Sequence, residues 1–118
     1  MALLGGLGLS FDSYGAGWAE AKWVPTELAC NPGGTVHDAA MNFATNAALE
    51  SGDRAATLEL KYSTMRPARA GDELTVRGDV VQLTRQVAYV ETTIRTAGDE
   101  LVSRGTATFF VRRKPAYV

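Results

Sequence analysis

One run of residues limits what this chain can become. Asp38-Ala39-Ala40-Met41-Asn42-Phe43-Ala44-Thr45-Asn46-Ala47-Ala48-Leu49 holds five alanines and no Gly or Pro. Alanine leads the helix propensity scale, so the run predicts a helix from Asp38 to about Glu50, closed where Gly52 can turn left-handed. The sequence on both sides alternates with period two, so this helix has a sheet to pack on. Met41, Ala44, Thr45 and Ala48 fall at the spacing that buries one stripe. Asp38, Asn42 and Asn46, four residues apart, form a polar stripe with two readings. It is a solvated face with Asp38 in the first turn, meeting free amides and the positive end of the helix dipole. Or Asp38 lines a site, as a base or nucleophile.

The strands are read from alternation. Residues 2–9 are apolar and Gly-rich and predict a short helical or irregular lead-in, followed by a first strand over Gly17 to Val24. Pro25 to Gly34 is a loop of turn formers before the helix. After Gly52, Leu58, Leu60 and Tyr62 face one way and Thr57, Glu59, Lys61 and Ser63 the other. Pro67 and Gly71-Asp72 end that strand. Leu74, Val76 and Val80 share a face that Val81 and Leu83 leave, which predicts a bulge near Gly78 to Val81. Ala88, Val90, Thr92 and Ile94 line another strand. Ala97 to Glu100 is a hairpin turn, and Leu101 to Arg112 completes the set. The fold class is therefore α+β: one domain over residues 1–118, with one central helix on one face of a five-stranded antiparallel sheet. The other face carries Thr57, Glu59, Lys61, Arg77, Tyr89, Glu91 and Thr93. Edge strands this long are seldom left open, so a dimer that extends the sheet is expected.

Composition narrows the function. Twelve Lys+Arg against thirteen Asp+Glu give a net charge of −1. The basic residues are dispersed apart from Arg112-Arg113-Lys114, so a nucleic-acid partner is disfavoured. Cys30 is the single cysteine, which permits no intrachain disulfide and points to a reducing, cytoplasmic location. One Cys and one His cannot make a four-ligand zinc site, so no metal is expected. Met1 to Leu9 is far shorter than the roughly 20 residues needed to cross a bilayer, so no membrane role is expected.

The segment order and several motifs resemble the hot-dog-fold thioesterases, in particular the phenylacetate-degradation (PaaI-type) acyl-CoA thioesterases. The carriers are Cys30-Asn31-Pro32-Gly33-Gly34-Thr35-Val36-His37, similar to a family loop ending in His-Gly-Gly, and Asp38-Ala39-Ala40-Met41, similar to the acidic helix position. Thr57 to Ala68, Gly71-Asp72-Glu73-Leu74 and Gly105-Thr106-Ala107-Thr108-Phe109 extend the likeness over nearly the whole chain. The resemblance implies hydrolysis of an acyl-CoA, with Asp38 as catalytic carboxylate, Asn31 positioning the thioester or water, and Thr57 holding the attacking water. It implies that His37 and Gly34 shape the substrate pocket and that the site lies between subunits of a homodimer or a dimer-of-dimers tetramer. Coenzyme A enters as part of the substrate, and no cofactor is implied. Arg66, Arg69 and Arg85 are candidates for its phosphates. An alternative on the same fold is a non-catalytic module that binds acyl-CoA or lipid; hydratase chemistry is a further one. One departure stands out: the family has roughly eight residues, about two helical turns, between its His and the acidic position. Either the stretch has been lost, or it is missing from the chain as written. The second reading predicts that His37 and Asp38 are not adjacent and puts the oxyanion-binding helix start inside the missing stretch.

Overall fold

The computed structural model describes residues 3–4, 9–25, 33–50, 52–67, 69 and 71–113. The elements run β1 (Leu3–Leu4), β2 (Leu9–Gly15), β3 (Trp18–Trp23), α1 (Gly33–Ala48), β4 (Arg54–Thr64), β5 (Leu74–Leu83), β6 (Val87–Thr96) and β7 (Leu101–Arg112). All strands join one antiparallel sheet in the order β1-β2-β3-β5-β6-β7-β4, with α1 on one face. This is the hot-dog arrangement.

Among the described residues the strand count is seven rather than five. The difference lies at the N-terminus, where β2 pairs with β3 through a turn at Gly17, whose φ is +80°. Glycine content there obscured an alternation that the β3 partner enforces.

Helix α1 begins at Gly33, not Asp38. It buries Val36, His37, Ala40, Met41, Ala44 and Thr45, a stripe of adjacent pairs at helical spacing. These residues pack between two halves of the core. Phe11, Trp23, Leu74, Val76 and Ile94 lie on one side, and Val90, Phe109 and Val111 with Met41 on the other. The helix crosses β5 closely because Gly78 has no side chain. A Cβ there would sit 2.7 Å from the Ala40 carbonyl oxygen.

The continuous helix corrects two expectations. His37 and Asp38 are consecutive residues of α1, so no stretch is missing between them. The Gly33-Gly34 pair itself opens the helix. Asp38 is consequently in the second turn, and the first turn holds no acidic residue. Its carboxylate is therefore not explained by the free amides of the helix start.

Two of the four register shifts in the sheet bear on the site. The expected one falls in β5 between Val80 and Gln82. A second, not foreseen, lies in β4: Thr57 pairs with Phe109 and Glu59 with Thr108, leaving Leu58 unmatched. An extra residue reverses the facing of everything before it. Thr57, expected on the open face, therefore shares a face with Ala55, Leu60 and Tyr62 and looks toward α1.

Candidate functional site

The consequence of the β4 bulge is a contact. The Thr57 hydroxyl donates to Oδ1 of Asp38 at 3.2 Å. Asn42, one turn further along α1, donates from Nδ2 to the same oxygen at 3.1 Å and to the Asp38 carbonyl at 3.0 Å. Oδ1 thus receives two donors, which fixes the carboxylate plane, and Oδ2 has no hydrogen-bond partner among the described residues. The helix supplies two members of this group and the edge strand the third. Asp38 is half-buried and Thr57 exposed, so a ligand can reach the pair along the rim of β4.

Beside it lies a buried polar chain. His37 is fully buried, with Nε2 2.7 Å from Ser103 Oγ, and Ser103 in turn donates to the Ser63 carbonyl at 3.0 Å. Because the serine spends its hydrogen on Ser63, His37 Nε2 carries the proton and Nδ1 is the unprotonated nitrogen. Nδ1 has no partner among the described residues. It lies against Gly105, where a Cβ would come within 2.9 Å. Glycine at that position makes room for the imidazole, and the Tyr62 ring covers it at 5.3 Å. Burial pushes the His37 pKa down to about 4, so the ring is neutral near pH 7. It ties α1 to β7 and β4 at the residue before Asp38.

The remaining sequence candidates are scattered. Gly34 stands in the first turn of α1, whose amides have no acceptor within the helix. Asn31 and Cys30 lie outside the described residues. Arg66 is held by Glu100 at 2.8 Å. The Arg69 amide is held by Asp72. Arg85 sits in the turn between β5 and β6, at the opposite end of the strands from both. The three arginines of one chain therefore cannot grip one phosphate group together. Among the described residues no three His, Cys, Asp or Glu side chains converge as a metal ion needs.

Asn42, Ser103 and Tyr62 escaped the sequence reading as site residues. Asn42 alone left a signal, its i+4 spacing from Asp38. Ser103 and Tyr62 acquire their positions only through strand pairing.

A helix cradled by an antiparallel sheet defines a hot-dog domain, and here a carboxylate on the helix faces a hydroxyl on the edge strand. The sequence profile of the thioesterase superfamily matches residues 34–103. The chain belongs to that superfamily. A phenylacetic acid degradation-related protein from Ralstonia eutropha is 31% identical, with 88% of this chain and 85% of that one covered and a TM-score of 0.77. A thioesterase from Haemophilus influenzae shares 23% identity over 92% of this chain and 80% of its own, at a TM-score of 0.80. A Streptococcus mutans protein crystallised with acetyl-CoA shares 22% over 90% and 91%, at a TM-score of 0.79. No match is found among curated protein sequences.

Proposed function

We propose that this protein is an acyl-CoA thioester hydrolase of the PaaI-like kind, with Asp38 as general base. The observation that carries the reading is the contact between Asp38 and Thr57 on an edge strand open to a second chain. A thioester carbonyl is already activated, so a carboxylate and an oxyanion donor suffice. Water bound between Oδ2 of Asp38 and the Thr57 hydroxyl attacks the carbonyl carbon and gives its proton to Oδ2. Negative charge develops on the carbonyl oxygen, where first-turn amides of α1, those of Gly33 and Gly34 among them, are the available donors. Collapse breaks the carbon–sulfur bond, and the coenzyme A thiolate takes the proton from Asp38, releasing acid and thiol.

The partner is a second copy of this chain. Strand β4 has eleven residues and, among the described residues, no strand on its outer side. Antiparallel pairing of two such edges would satisfy both and enclose the Asp38–Thr57 contact between protomers. The likeness to the Ralstonia protein and the acetyl-CoA bound by the Streptococcus relative support the substrate class. Helix α1 keeps a first turn with free amides, which favours hydrolysis over the non-catalytic alternative.

Release of free thiol is measured across benzoyl-, phenylacetyl-, short- and medium-chain acyl-CoA. The protein turns over at least one of them. Asp38→Asn lowers kcat by about 10²-fold or more, the usual contribution of a general base, while the acyl-CoA still binds. An Asp38→Asn variant with full activity would remove Asp38 from the mechanism.

A further inference from the structure

The composition of β4 argues against the register that β4 adopts. Leu58, Leu60 and Tyr62 alternate with Thr57, Glu59, Lys61 and Ser63, so pairing without a bulge would turn all three apolar side chains toward α1. Instead Leu58 is 62% exposed, and Thr57 takes the inward place opposite buried Phe109. Sliding residues 54–57 by one position along β7 would remove the conflict. Leu58 would then lie opposite Phe109, and Thr57 opposite Phe110 on the face away from α1. A contact at the start of the strand opposes that slide.

The contact is made by Arg113. Its Nη1 donates to Oδ2 of Asp53 at 3.1 Å, and the Asp53 side chain is only 3% exposed. Its Nε and Nη2 donate to the carbonyls of Arg85 and Thr84, each at 3.1 Å, in the turn between β5 and β6. A planar fork held by that turn cannot follow β4 along the sheet. Asp53 stands one step beyond the Arg54–Arg112 pair, where the observed register sets it opposite Arg113. A one-residue slide would set Arg54 there instead, and like charges directly opposite in a ladder repel.

We infer that Arg113 is a positioning residue: by holding Asp53 it selects the bulged register of β4 and so turns Thr57 toward Asp38. Its effect on hydrolysis rests on the thioesterase reading; the choice of register does not. Asp53 is the joint where the connection from α1 enters β4, its amide donating to the Glu50 carbonyl at 3.1 Å beside Gly52 at φ +95°. One element at that joint carries Asp38 and Asn42, and the other carries Thr57. Beyond the bulge β4 is fixed separately, since Ser103 donates to the Ser63 carbonyl at 3.0 Å and the Met65 amide to the Val102 carbonyl at 2.8 Å. The extra residue is therefore trapped between two fixed points.

The test reads register and rate separately. In Arg113→Ala the nuclear Overhauser contact between Thr57 and Phe109 gives way to one between Thr57 and Phe110, as the first part of β4 slides. The kcat for benzoyl-CoA falls about tenfold while KM stays within about twofold, and the same substitution in a Thr57→Val background costs nothing further. A role confined to stability would lower the rate equally in both backgrounds, and that result overturns the link to the chemistry. Arg113→Lys keeps a charge against Asp53 and recovers part of the rate. If Arg113→Ala does not fold, Asp53→Asn, which keeps the shape of the side chain and removes its charge, shows both contacts. A folded variant with the parental Thr57–Phe109 contact alone overturns the register lock and leaves the thioesterase reading standing. If the parent hydrolyses no acyl-CoA, that reading fails, and the Overhauser contacts decide the lock.

Discussion

At the scale of single residues the fold spends polar groups on the neighbourhood of one carboxylate. Oδ1 of Asp38 accepts from both Thr57 and Asn42, so its second oxygen is aimed rather than free to rotate. His37 fixes the preceding residue through Ser103. Ser103→Ala leaves the His37 N–H buried without an acceptor. It should lower stability by about 1–3 kcal/mol, read as a shift in the urea midpoint. The imidazole also links stability to pH. Its pKa is about 4 when folded and about 6.5 when unfolded. Above pH 6.5 both states are neutral and pH has no effect through this group. Below it the unfolded chain takes up a proton that the folded chain refuses, and stability falls by up to about 1.4 kcal/mol per pH unit until pH nears the folded value. The stability advantage of the parent over His37→Gln should therefore shrink between pH 7 and pH 5 in matched denaturation curves; a constant difference would show that the ring titrates normally. From sequence, Asp38 and Thr57 were legible as candidates and their contact was not. Residue type suggests chemistry, but a hydrogen bond between residues nineteen apart depends on which face of the sheet each one occupies.

At the scale of elements, that facing is set by a single unmatched residue. The alternation in β4 reads straight through Leu58, because a bulge adds a residue without interrupting the polar-apolar pattern that precedes it. Deleting Leu58 should restore regular pairing with β7 and turn Thr57 to the open face. The expected result is an unchanged far-ultraviolet circular dichroism spectrum with thiol release reduced to the level of Thr57→Val. Retained activity would mean that the bulge is incidental. The start of α1 was misplaced for a related reason. Pro32-Gly33-Gly34 reads as loop by local propensity, yet the helix begins there and buries Val36 and His37 against the sheet. Tertiary burial outweighs the roughly 1 kcal/mol that a helical glycine costs. Gly78 was legible only as a place where β5 bends, whereas its role is to admit the Ala40 carbonyl. Gly78→Ala should cost about 1–3 kcal/mol as the helix is pushed off the sheet, seen as a lowered melting temperature.

At the scale of the whole molecule, one edge and one face of the sheet remain to be accounted for. The open face is a mosaic of opposite charges: Arg77 meets Glu20 and Asp79, Arg104 meets Glu91, and the Arg77 guanidinium lies 4.9 Å from the centre of the Trp18 ring. The same face also exposes the large apolar side chains of Val81, Tyr89 and Phe110. Among the described residues no strand pairs with the outer side of β4, and Leu58 and Tyr62 are exposed on it. Sedimentation velocity should therefore show a dimer at micromolar concentration, and a monomer would leave the site without its second wall. If hydrolysis runs through the contact that the bulge creates, Asp38 and Thr57 must act as one unit. The most direct measurement is kcat/KM for acyl-CoA thiol release in the parent, Asp38→Asn, Thr57→Val and the double variant. Thr57→Val should cost about tenfold in the parent and nothing further once Asp38 is replaced. An equal loss in both backgrounds would mean that the two residues work independently and that their contact has no part in the chemistry.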